Sequence, residues 1–220
     1  MMAVFLSTLV GFSALAEGTS IGIKFSNANM EASGSHTTNS TTSGSLGSGG
    51  AAVSASDDAD FNMASFFIER SIDAGALSMS VGLDIIPMSA EVDKLDGGDG
   101  FDATVSVENV MTAYIQPTFG NVFVKAGYTF GDVDITDISR QATASETSDS
   151  ASTDGDQSKS LEGIMYGVGI TKEIDGLVDF LRLEGTITEF DEIKHTNSNG
   201  KVLKADSELQ LITLSIGKTF

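Results

Sequence analysis

Five ionisable residues stand where alternation would otherwise put only small or neutral side chains: Asp84, Glu108, Lys125, Arg182 and Glu184. Each belongs to a run in which bulky apolar residues take the opposite positions. The set carries both signs, three carboxylates against an ammonium and a guanidinium. Such groups on one face can pair as hydrogen-bonded ions, and away from water they must, because an unpaired charge there is costly. Other chemistry is thinly represented. The chain has no Cys, so thiol nucleophiles, disulfides and cysteine metal sites are excluded. Its two histidines, His36 and His195, fall in stretches that read as loops. Ser198 follows His195 by three positions, without a strand to hold a nucleophile against a base. The stretch GGDGFD at 97–102 matches half of a calcium-binding nonapeptide, with Asp96, Asp99 and Asp102 as oxygen ligands. That motif works by stacking repeats and occurs here once, so a Gly/Asp turn is the simpler reading. No cofactor motif is present.

What must position the five charges is a set of strands, because the hydrophobic period is two. Leu77, Met79, Val81, Leu83 and Ile85 alternate with Ser78, Ser80, Gly82 and Asp84. Val122, Val124, Ala126, Tyr128 and Phe130 alternate with Lys125, Gly127 and Thr129, and Leu181, Leu183 and Ile187 with Arg182, Glu184 and Thr186. Eight strands are predicted, at 19–29, 61–73, 76–90, 104–117, 122–132, 161–174, 178–192 and 203–220. Those at 61–73 and 104–117 alternate less cleanly, since MASFFIER places apolar residues side by side. The class is all-β.

Connections after the second, fourth and sixth strands are tight (DAG, FGN and DG), whereas those at 30–60, 91–103 and 133–160 are long. One end is therefore pared down and the other elaborated, the habit of transmembrane β-barrels with short periplasmic turns and long external loops. The predicted architecture is a closed, antiparallel, up-and-down eight-stranded barrel spanning a membrane. Charged residues would face the lumen, where eight strands leave room for little beyond side chains, and apolar ones would face lipid. A soluble sandwich or a secreted ligand-binding barrel is the competing reading of the same alternation.

The long connections are Ser/Thr/Gly/Asp mixtures that cannot bury a core. They hold fifteen acids against Lys94, Arg140 and Lys159, and the whole chain has a net charge of -19. That balance repels phosphates and argues against nucleic acid as a partner. At the other end of the sequence, the apolar run in residues 1–16 finishes in Ala14-Leu15-Ala16, the pattern of a secretory cleavage site, which makes 17–220 the expected single barrel domain.

An export segment, eight alternating strands and a C-terminal SIGKTF make the chain resemble the outer-membrane barrels of the OmpA-like, OmpX-like and opacity-like superfamily. The resemblance implies residence in the outer membrane of a Gram-negative-type bacterium, in contact with its lipid and lipopolysaccharide. It also implies that the barrel-assembly machinery reads Leu214, Ile216 and Phe220, with Lys218 departing from the usual signal. Trp is absent, leaving Tyr114, Tyr128, Phe130, Phe180 and Phe190 as the expected aromatic girdles. The function expected is a structural or surface-interaction barrel that displays acidic mobile loops, with a lumen plugged by the charged side chains and, for want of a Ser/His/acid constellation, no enzymatic activity. A narrow porin-like channel is the alternative.

Overall fold

The computed structural model describes residues 18–37, 52–74, 77–87, 90–92, 101–140, 157–196 and 202–220. Ten strands follow in chain order: β1 (Thr19–Thr37), β2 (Ala52–Ala74), β3 (Leu77–Ile86), β4 (Ala90–Val92), β5 (Phe101–Phe119), β6 (Val122–Arg140), β7 (Gln157–Glu173), β8 (Phe180–Phe190), β9 (Ile193–Thr196) and β10 (Val202–Thr219). β4 continues β3 along β5, and β9 continues β8 along β10, so eight staves result. Every pairing is antiparallel, each stave pairs with the next, and β1 pairs with β10 to close the ring. The predicted eight-stranded antiparallel barrel is therefore the fold.

Register fixes its shape. The row of paired residues that starts at Ser20 passes through Glu69, Gly82, Tyr114, Gly127, Met165, Thr188 and Leu209. It returns to β1 at Met30, ten residues along. Eight strands with that stagger tilt by about 40° and enclose an interior that side chains alone can fill. Closure is tied at the short-turn end, where the Gly18 N–H donates to the Phe220 carbonyl and the Phe220 N–H to that of Thr19.

The strands are longer than expected at the elaborated end. β1 runs to Thr37 and β2 starts at Ala52, β6 reaches Arg140 and β7 begins at Gln157. Segments read as loops are thus partly ladder, because backbone pairing needs no apolar side chain. Polar pairs such as Asn29 with Asp60 (3.0 Å) bridge those strands from outside. His36 and His195 were expected in loops, yet their backbones lie in β1 and β9. Residues 1–16, Asp96, Asp99 and Ser198 lie outside the described residues.

The barrel is inside-out. Phe25, Phe66, Val124, Ile164, Val168 and Ile212 are all more than half exposed on the outer wall. Lys24, Glu69, Lys125, Arg182 and Glu184 are buried within. On β6 the apolar outer stripe runs from Val122 to Phe130, about 22 Å at the strand rise and tilt of such a barrel. A soluble barrel would have the reverse polarity; this one presents hydrocarbon to its surroundings, as a membrane-spanning barrel must.

Candidate functional site

Lumen side chains stand in three storeys, with a band of hydroxyls between the second and the third, and the short-turn end comes first. Glu69 on β2 accepts both guanidinium nitrogens of Arg182 on β8, Nη1 at 2.8 Å and Nη2 at 2.5 Å, in a bidentate fork. The Tyr114 hydroxyl donates to the same carboxylate at 3.0 Å. Phe180 lies under the guanidinium, 4.2 Å from ring centroid to Cζ, with Phe67 and Phe123 further out at 5.8 Å. These rings have room because each faces a glycine directly across its strand pair: Phe67 over Gly22, Tyr114 over Gly82, Phe123 over Gly169 and Phe180 over Gly217. A Cβ at Gly82 would run into the Tyr114 ring. These four glycines of the wet face are thus aromatic seats.

Above this storey Lys24 on β1 bridges two carboxylates, Asp84 on β3 at 2.5 Å and Glu184 on β8 at 2.9 Å. Lys125 on β6 completes the chain by donating to the second oxygen of Glu184. Its ammonium stands 4.5 Å from the centroid of the Tyr114 ring, which links this storey to the one below. Lys24, Lys125 and Arg182 face Asp84, Glu184 and Glu69, so these six charges sum to zero. A fully paired set answers the desolvation that an eight-stranded interior imposes.

Then come hydroxyls, with Ser26 and Thr213 at 2.7 Å and Thr112 and Thr129 at 2.8 Å. They border a cavity of about 40 Å³, room for little more than water. The third storey is apolar. Ala28, Val133, Leu161, Phe190 and Leu209 form a buried cluster inside the upper barrel, backed by Met30, Phe61 and Val107.

Four of the five residues singled out from sequence, Asp84, Lys125, Arg182 and Glu184, meet in the lumen. Glu108 does not. The β5–β6 register shifts between Glu108 and Met111, at Asn109, whose φ of 54° marks a bulge. Val107 packs on the inner cluster, which turns Glu108 to the outer wall opposite Asp132. One extra residue inverts the side-chain parity of the strand, and period-two reading cannot see it.

Two lumen charges went unnoticed in the sequence. Lys24 was legible, since Gly22, Lys24 and Ser26 alternate with Ile21, Ile23 and Phe25. Glu69 was hidden by the run Phe66-Phe67-Ile68, in which the middle ring faces inward. The girdle expectation also changes. Tyr114, Phe180 and Phe190 are buried in the lumen. Tyr128 does stand on the outer wall, joined by Tyr166, which was not expected there; they donate to Glu162 and to Glu189 (2.5 Å) at the upper edge of the apolar belt.

Leu214 and Ile216 lie on the outer side of β10, paired with Phe25 and Ile23 of β1, and Phe220 is half exposed just beyond the strand. Asp102 lies in β5 opposite Ser139. Among the described residues no cluster of His, Asp and Glu could hold a metal ion.

No family model matches the sequence, and no curated protein matches it. Solved structures do align over most of the chain. The attachment invasion locus protein Ail of Yersinia pestis, solved with the heparin analogue sucrose octasulfate, is 10% identical over 88% of this chain and 98% of its own, with a TM-score of 0.36. Neisserial surface protein A is 11% identical over 93% and 98%, TM-score 0.37. The outer membrane protease OmpT of Escherichia coli is 10% identical over 92% and 96%, TM-score 0.41. At these identities they are similar in fold alone. Closure, stagger and inside-out polarity therefore rest on this chain's own register and burial, and they make it a transmembrane β-barrel of eight staves.

Proposed function

We propose that this protein is an outer-membrane anchor whose closed barrel holds long acidic hairpins at the cell surface, where they meet an external partner. The observation that carries the reading is the charge-neutral network of Lys24, Asp84, Glu184, Lys125, Arg182 and Glu69 across the lumen. Above it lies the buried apolar cluster around Phe190 and Leu161, which supports a closed lumen. Ions would have to break several buried pairs to pass, each a step of several kcal/mol on the order of breaking a buried salt bridge.

The strands favour display. β1 with β2 and β6 with β7 continue as paired ladder past the apolar belt, which would carry their connections clear of the membrane. Leu214, Ile216 and Phe220 would serve assembly of the barrel, and the apolar belt would meet the lipid and lipopolysaccharide of the membrane. Folded protein inserted into planar bilayers should give no steady conductance, and neutralising Lys125 should open at most brief, small events. Large, sustained conductance from the unaltered protein would establish a narrow pore instead.

A further inference from the structure

The outer wall sorts its charges by level. Beyond the upper edge of the apolar belt acids predominate, among them Asp60, Glu162, Glu189 and Glu208, and the cations there, Lys194 and Lys204, are paired with Glu192. At the lower edge the outward charges on the strands are cations: Arg70 on β2, Lys172 on β7 and Lys218 on β10. Tilt brings these three to one level. Arg70 lies opposite Thr19 and Lys218 opposite Ile21 at the foot of β1, while Lys172 lies opposite Leu181 at the foot of β8.

The cations therefore occupy alternate staves of one arc, β7, β10 and β2, with β8 and β1 between them. Two strand spacings put neighbours about 10 Å apart, and the gaps are floored by Leu181 and Ile21. Across the barrel the lower edge is apolar, with Leu77, Phe119 and Val122 exposed. Lys218 is held at 3.0 Å by Asp179 in the turn below. Arg70 and Lys172 have no ion pair among the described residues. Glu173 and Asp175 sit at the end of β7 and in its turn, below the belt edge, so a group arriving from the lipid side meets the cations first.

We propose that this arc is a binding surface for anionic phospholipids in the leaflet at the short-turn side. Acyl chains would lie over Ile21 and Leu181, and each phosphate would sit between two cations. Long side chains at the foot of an apolar belt reach the headgroup level while their stems stay in hydrocarbon. A cation at a membrane surface attracts anionic lipid at short range. An apolar wall alone would retain lipid without regard to headgroup, whereas this arc requires a net negative one.

The test is native mass spectrometry of the folded chain, released from bilayers of equal dioleoyl phosphatidylglycerol and dioleoyl phosphatidylcholine. The unaltered protein should retain phosphatidylglycerol preferentially. Removing Arg70 or Lys172 (R70Q, K172Q) should lower that preference about fivefold per cation. K194Q/K204Q, at the opposite end, should leave it unchanged, and inorganic phosphate should fail to displace the lipid. Heat-shifted gel migration shows that each variant is folded. The proposal is overturned if the unaltered protein shows no headgroup preference, if R70Q/K172Q keeps it in full, or if inorganic phosphate competes.

Discussion

The two walls of this barrel are built from the same strands, one residue out of phase, and they handle charge in opposite ways. Inside, six charges of both signs are crowded into two storeys and cancel. Outside, acids predominate above the belt, where Lys194 and Lys204 are paired with Glu192, and the strand charges at its lower edge are the cations Arg70, Lys172 and Lys218. Confinement makes the difference. In the lumen side chains leave room for little water to share the cost of a lone ion, so charges are neutralised within a few ångströms. On the outer wall solvent and headgroups beyond the belt do that work, so charge can be placed for its partners.

The largest effect should come from breaking the inner balance. Glu69→Ala leaves the Arg182 guanidinium buried without its bidentate acceptor and removes the acceptor of Tyr114 as well. A loss of about 3–5 kcal/mol is expected on denaturant unfolding of the vesicle-inserted barrel. Glu108→Ala, a carboxylate on the outer wall of the neighbouring region, should change stability by no more than about 0.5 kcal/mol. Replacing Glu69 and Arg182 together by Met should cost less than the two single changes added, since neither charge is then stranded. Equal losses for Glu69 and Glu108 would dissolve the distinction between the walls.

A middle-sized effect belongs to the aromatic seats. Gly82→Val would drive a branched side chain into the ring of Tyr114, which is pinned by Glu69 and lies under Lys125. Overpacking of this kind costs about 1–3 kcal/mol. Gly185→Val lies on the outer wall, where an added Cβ would meet only the Leu211 carbonyl oxygen at 4.0 Å and no ring, so it serves as the control. If both glycines tolerate valine equally, the lower storey is looser than its contacts imply.

The same contrast explains what could be read in advance. The outer wall was legible because lipid demands apolar residues at every second position, and β6 and β7 supply them without a break. From that alternation, four of the lumen charges and the closed barrel followed. The inner wall is governed by fit and pairing, which have no fixed period. Phe67 and Tyr114 are large residues that face inward because a glycine stands across from each, information held on a different strand. Glu108 was misplaced for a local reason, a single left-handed residue at Asn109. The hairpin ladders were missed because their Ser, Thr and Asp residues carry no pattern, while the backbone pairs regardless.

The smallest effect lies where the two walls meet, at the short-turn rim. Asp179 there accepts the Thr219 N–H at 2.9 Å and the Lys218 ammonium at 3.0 Å, fastening the β7–β8 turn to the end of β10. The backbone donor, helped by the neighbouring cation, holds this carboxyl below its usual range. A carboxyl whose folded pKa is depressed favours the native state above its unfolded pKa, and that contribution fades as pH falls through the folded one. Asp179 is open to solvent, so the effect is screened and small. Asp179→Asn should therefore lower the urea midpoint slightly at pH 7. The gap from the unaltered protein should narrow as the pH drops below about 4, the ordinary carboxylate range. A gap that stays constant down to pH 2 would mean that the side chain's shape, rather than its charge, secures the rim.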